Sequence, residues 1–209
     1  MLLKGPLAVL ISFTMVLLPS SVLAQGAVPM DPDRAEDSYA IYSQIIPVDE
    51  FKSWGAEHNQ LWLIKDTTVS QENSSADIEK CLYAPPEDTS AFEQVLSDFK
   101  QHSNERVSLK REFHLERPYL LLDEQGEKDY WMSKEKDAAT QHADLVKKFK
   151  GAPGIISVSE VYFNFDKTLA AVWIWGMCGS LCGQGYWVAL KKIDGHWVKQ
   201  NWSSCMVMS

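Results

Sequence analysis

Residues 155–202 read "IISVSEVYFNFDKTLAAVWIWGMCGSLCGQGYWVALKKIDGHWVKQNW", and this stretch decides the fold. Apolar side chains recur in it at every second position, which is the period of a β-strand and not of a helix. Asn164 to Lys167 provides one turn, and Asp194-Gly195 between two apolar runs is a strong signal for a two-residue hairpin. We therefore predict a four-stranded antiparallel meander over the carboxyl-terminal third.

Upstream of the meander, apolar positions recur with the helical period of about 3.6 residues. Helices are predicted over residues 31–46, from Ser90 onward and over residues 133–150. Two short strands are predicted at residues 61–69 and 119–122. About three helices packed against one face of the meander would make an α+β domain.

The first 24 residues have the features of a cleavable export signal. Lys4 gives a positive start, residues 7–18 are mostly apolar, and residues 22–24 form a small-residue cleavage site. Residues 25–209 would then form a single α+β domain, with no later segment apolar enough to cross a membrane. We therefore expect a secreted or periplasmic protein that leaves the membrane once the signal is removed.

The chain carries a formal net charge of −8 at pH 7. An acidic surface repels the phosphate backbone, so nucleic acid is a poor candidate partner. The acidic balance itself serves solubility and identifies no ligand. The partner stays unknown at this stage, with a glycan or a protein as the candidates.

Four cysteines follow the signal, and an even number in an oxidising compartment favours two disulfides. Four cysteines permit three pairings. We prefer Cys178 with Cys182, because they flank a turn of three residues whose ends can approach to within disulfide range. Cys81 with Cys205 is then the second pair and the less secure one. Pairings of Cys178 or Cys182 with Cys205 stay open.

The segment around Cys178 and Cys182 resembles a protease signature in composition, yet it fits no catalytic chemistry well. A cysteine nucleophile needs a nearby histidine, and His196 follows the hairpin tip at the opposite end of the strand. A zinc site would lack a second ligand pair, and a redox pair would lack the helix amino terminus that lowers a thiol pKa. We therefore assign no catalytic residue, metal or cofactor. Thiol-disulfide redox chemistry is kept as an alternative function.

Five of the eight tryptophans lie within residues 173–202. On an exposed sheet face their indoles would stack on sugar rings, giving a carbohydrate-binding module. In the core they would fill the space between sheet and helices, and this is the interpretation we favour. The candidate ligand-binding tryptophans are Trp173, Trp175, Trp187 and Trp197.

The run from Ile156 to Val198 resembles the carboxyl-terminal part of a family of uncharacterised secreted bacterial proteins. The resemblance is carried by an N-x-D-x-T turn at Asn164, a C-G-x-L-C-G loop from Cys178 and a D-G-x-W hairpin from Asp194. It implies export and an α+β sheet, and it brings no activity with it. The function expected from the sequence is that of a non-enzymatic binding or accessory envelope module.

Overall fold

The computed structural model describes residues 26–47, 61–71, 77–179 and 181–208. The predicted export signal at residues 1–24 lies outside the described residues. Within them the chain has both helices and a large β-sheet, as the prediction of an α+β fold requires.

Six α-helices occur in the described residues. The first begins after Asp31, whose side chain accepts a hydrogen bond from the backbone N–H of Asp33 at 2.9 Å, and Pro32 occupies the first turn. The helices are α1 (Pro32–Ile45), α2 (Ile78–Cys81), α3 (Thr89–His102), α4 (Glu124–Met132), α5 (Ala138–Gln141) and α6 (Ala143–Lys148).

The main sheet has eight strands. Six of them form its path, in the order β10 (His196–Lys199), β9 (Cys182–Ile193), β8 (Leu169–Gly179), β6 (Ile155–Val158), β2 (Trp62–Lys65) and β5 (Tyr119–Leu122). In addition, β7 (Tyr162–Phe163) pairs with β8, and β12 (Met206–Met208) pairs with β9. Strand β2 is parallel to β5 and β6, while the remaining pairs in this sheet are antiparallel. Two small sheets join β1 (Val28–Pro29) with β4 (Val107–Ser108) and β3 (Leu82–Tyr83) with β11 (Ser203–Ser204).

The sheet is therefore larger than the predicted four-stranded meander. Strands β6, β8, β9 and β10 are antiparallel neighbours, but β2 and β5 extend the sheet with parallel pairs. The hairpin between β9 and β10 has positive φ at both Asp194 (50°) and Gly195 (81°), as a tight hairpin of this kind requires.

Helices cover both faces of the sheet, which corrects the prediction that they lie on one. Alternate residues of β8 point to opposite faces. Val172 and Ile174 pack in the core cluster that contains α1, on what we call the α1 face. Ala171 and Trp173 pack with Phe92 of α3, on the α3 face.

A third core cluster lies on the α3 face at the other end of the sheet. It joins Leu63 and Ile155 of the sheet to Tyr130 of α4 and to Phe149. The predicted helix over residues 133–150 is wrong, because the backbone leaves the helical region at His142 (φ −134°, ψ 41°). Two short helices result, and Phe149 after the second of them packs in this cluster.

Candidate functional site

The four cysteines form two pairs at disulfide distance, in the arrangement preferred from the sequence. Cys178 and Cys182 close the connection between β8 and β9, with their Cα atoms 5.2 Å apart. Cys81 and Cys205 have Cα atoms 4.7 Å apart, and the backbone N–H of Cys205 donates to the carbonyl of Cys81 at 2.9 Å. The first pair lies at the ends of two strands and not at a helix amino terminus, so the helix dipole does not act on either thiol.

Gly185 on β9 provides space for two neighbouring indoles. It lies opposite Trp175 in the β8–β9 register. A Cβ atom at this position would come within 2.5 Å of Cε3 of Trp175 and 2.7 Å of Cζ2 of Trp173. It would also come within 2.8 Å of the backbone carbonyl oxygen of Ile174, so the requirement for glycine comes from the neighbouring strand β8, its two indoles and its backbone, and not from the turn.

Three of the four candidate ligand-binding tryptophans are buried, with exposed fractions of 5% for Trp173, 2% for Trp187 and 4% for Trp197. The indole N–H of Trp197 donates to Oδ1 of Asp37 at 2.8 Å, which satisfies its polar group in the core. These three side chains fill the core and offer no indole platform for a sugar. Trp175 differs, because it is only half-buried.

Trp175 lines a groove on the α3 face, between the cluster that contains α3 and the cluster that contains α4. We call it the Trp175 groove, a cavity of about 210 Å³. Ser157 lies opposite Trp175 in the β6–β8 register. Lys65 also lines a neighbouring cavity, where its Nζ lies 2.8 Å from Oε2 of Glu127. The groove is lined by Lys65, Val69, Ile155, Ser157, Trp173, Trp175 and Met177.

A second polar site lies where α1 and α3 meet the backbone between β6 and β7. Arg34 of α1 donates to both carboxylate oxygens of Asp98 on α3, at 3.0 and 2.8 Å, and to the carbonyl of Val161 at 2.6 Å. Its Nε lies 2.9 Å from Oε1 of Glu160. The side chains of Arg34, Asp98 and Glu160 are 13%, 16% and 7% exposed. We call these three residues the Arg34 cluster.

In the Arg34 cluster, burial and the neighbouring charges shift the pKa values of Arg34 and Glu160 in opposite directions. Burial raises the pKa of Glu160, and it outweighs the attraction of Arg34, which lowers that pKa. For Arg34 itself, burial lowers the pKa, but the hydrogen bond and charge of Asp98, together with Glu160, raise it overall. The site therefore holds a guanidinium that keeps its charge and a carboxyl that is costly to ionise.

The raised pKa of Glu160 predicts a pH dependence of stability. The folded protein binds this proton more tightly than the unfolded chain, so the contribution of Glu160 to stability is complete below its ordinary pKa. That contribution is lost as the pH rises through the raised pKa. We therefore expect the free energy of unfolding of Glu160→Gln, taken relative to that of wild type, to increase as the pH rises from about 4 toward 7. Urea unfolding at several pH values measures this difference.

Glu93→Gln, which changes an exposed glutamate of α3, is the control for this experiment. Its stability relative to wild type should stay nearly constant over the same pH range. A stability difference for Glu160→Gln that is also independent of pH would contradict the assignment.

Sequence reasoning missed the Arg34 cluster entirely. Arg34 and Asp98 are 64 positions apart and no motif connects them.

A scan against protein-family models and searches of curated proteins and of solved structures find no match to this chain. Among the residues that the structure describes, none of the helices is long and apolar enough to span a bilayer.

Proposed function

We propose that this protein is an exported, non-catalytic binding module and that the Trp175 groove is its ligand site. Export is supported by the signal pattern in residues 1–24 and by two cysteine pairs, which are typical of oxidising compartments. The resemblance to secreted bacterial proteins supports the same location. A periplasmic or extracellular place in a bacterium is therefore part of the proposal.

The observation that carries the proposed site is the exposure of Trp175. Trp173 and Trp187 on the same sheet face are buried in the cluster that contains α3, whereas Trp175 packs against that cluster half-buried and Met177 is also half-buried. The indole of Trp175 and the thioether of Met177 form a polarisable apolar surface on which the ring of a ligand can stack. The other candidate tryptophans are already occupied by core packing.

The size and polarity of the groove restrict its ligand. A cavity of about 210 Å³ is smaller than the usual range of about 300–1,000 Å³ for drug-sized ligands. It therefore suits a single ring. Ser157 and Lys65 are polar residues that line the same groove, and the ammonium of Lys65 is shared with Glu127. The ligand class we propose is one sugar ring that stacks on Trp175 and directs its hydroxyl groups toward these two side chains.

Titration with monosaccharides and soluble peptidoglycan fragments, followed by tryptophan fluorescence and calorimetry, tests the proposal. We expect Trp175→Ala to weaken binding about tenfold, corresponding to about 1.4 kcal/mol of lost stacking. Trp131→Ala is the matched control, because this half-buried tryptophan on α4 lies outside the groove. Equal affinities for wild type and Trp175→Ala would exclude the groove as the site, and failure of wild type to bind any sugar would exclude the ligand class.

A further inference from the structure

We propose that His102, Glu105 and Glu160 bind a zinc-class divalent cation at the outer side of the Arg34 cluster. One donor atom from each of these residues lies within 4.8 Å of the other two. His102 is the last residue of α3, Glu105 follows one turn later, and Glu160 lies between β6 and β7. The inference is independent of the Trp175 groove.

Glu160 provides the observation that points to a ligand. Its side chain is only 7% exposed, and its Oε1 is 2.9 Å from Nε of Arg34. Its Oε2 is fully buried and has no hydrogen-bond partner in the part of the chain that the structure describes. A buried carboxylate oxygen without a partner is costly, and a cation at this position would satisfy it.

His102 is arranged as a metal-binding histidine. Its Nε2 lies 3.5 Å from Oδ1 of Asp98, and its Nδ1 lies 3.2 Å from Oε2 of Glu105. Nδ1 is buried and makes no hydrogen bond to any described residue. Histidine ligands usually direct their second ring nitrogen to a carboxylate, which fixes the orientation of the ring. Asp98 would have this orienting role, leaving Nδ1 for the cation.

Asp98 is not itself counted among the ligands. Both of its oxygens accept hydrogen bonds from Arg34, and Oδ2 also accepts from the backbone N–H of Phe163 at 2.8 Å. The carboxylates of Asp98, Glu105 and Glu160 outnumber the single guanidinium. When all three carboxyls are ionised, two of their negative charges are not balanced by Arg34, and a divalent cation would neutralise them.

The donor set determines the class of ion. One imidazole nitrogen and two carboxylate oxygens suit Zn²⁺, which binds such ligands at about 2.0–2.2 Å and accepts water as a fourth ligand. Ca²⁺ needs six to eight oxygen ligands, and Mg²⁺ prefers an octahedral oxygen shell. Tetrahedral ligands around zinc lie about 3.3 Å apart, so the donors must move closer on binding. Glu105 can make this movement because its side chain is 45% exposed.

Calorimetric titration of metal-stripped, oxidised and untagged protein with Zn²⁺ tests the proposal. We expect one Zn²⁺ per chain for wild type, and binding at least tenfold weaker for His102→Gln and Glu105→Gln. His196→Gln is the matched control, because His196 is an exposed histidine at the β9–β10 hairpin. Its affinity should equal that of wild type. Co²⁺ should bind competitively and give the visible absorption of a tetrahedral site, whereas Ca²⁺ and Mg²⁺ should not compete.

Two outcomes would overturn the proposal. One is the absence of stoichiometric Zn²⁺ binding by wild type, which would leave the cluster as an ion-pair network only. The other is unchanged affinity in both variants. Glu105 has an exposed side chain, so Glu105→Gln is expected to fold and keeps the test decisive even if His102→Gln does not.

Discussion

Replacement of Cys81 and Cys205 together by alanine is expected to lower the free energy of unfolding by about 5 kcal/mol. The reason is the length of chain that this disulfide closes, since its cysteines are separated by 124 positions. A long cross-link removes much conformational freedom from the unfolded chain, and that freedom returns when the link is absent. The disulfide also joins the last residue of α2, Cys81, to Cys205 near the carboxyl terminus. The adjacent residues pair as strands, Ser203 with Tyr83 and Ser204 with Leu82.

The Cys178–Cys182 pair is the internal control for this prediction. Its cysteines are only 4 positions apart, so the double alanine variant should lose about 2 kcal/mol. Urea unfolding of the oxidised proteins measures both losses under the same conditions. Equal losses for the two variants, or a larger loss for Cys178 and Cys182, would contradict the loop-length argument.

The elements that follow local rules could be predicted from the sequence. The Asp31 cap, the strand at residues 119–122 and the Asp194-Gly195 hairpin each depend on neighbouring residues, and each occurs as predicted. Helix α3 was also predicted, but Ser90 lies inside it and the helix begins at Thr89. The pattern of apolar residues located the helix, whereas the capping spacing misplaced its first residue.

The larger sheet could not be predicted in the same way. Strand β2 pairs with β5 and β6 in parallel, and its partners are distant in sequence. The sequence of β2, WLIK, is apolar on both faces and shows no alternation that would identify its neighbours. The residues of β8 are apolar on both faces, yet helices were predicted to cover only one face, whereas α1 and α3 cover both.

The candidate sites depended on tertiary contacts even more strongly. Trp173 and Trp175 share one face of β8, but Trp173 is buried in the cluster that contains α3, whereas Trp175 packs against that cluster and is only half-buried. The role of Gly185 became apparent only from the indoles that lie over it. Glu160 is unremarkable in sequence, because its burial comes from the meeting of two helices and a strand connection.

Arg34→Met is expected to lower the free energy of unfolding by about 3–5 kcal/mol at neutral pH. Methionine keeps the apolar stem of arginine but removes the charge that Asp98 and Glu160 share. Removing one partner of a buried ion pair leaves an uncompensated charge in a medium that solvates it poorly. Cζ of Arg34 also lies 5.2 Å from the ring centroid of Phe163, and this cation–π contact would be lost as well.

Two comparisons distinguish this mechanism from a loss of packing. The loss should become smaller at acid pH, because the stranded carboxyls can then take up protons, and Arg34→Met with Glu160→Gln should lose less at neutral pH than Arg34→Met alone. Lys128→Met is the control: it breaks the exposed pair with Glu124, and its effect on the free energy of unfolding should be much smaller than that of Arg34→Met, because water screens exposed ion pairs. An effect of Arg34→Met that is independent of pH and unchanged by Glu160→Gln would show that only the stem of Arg34 contributes to stability.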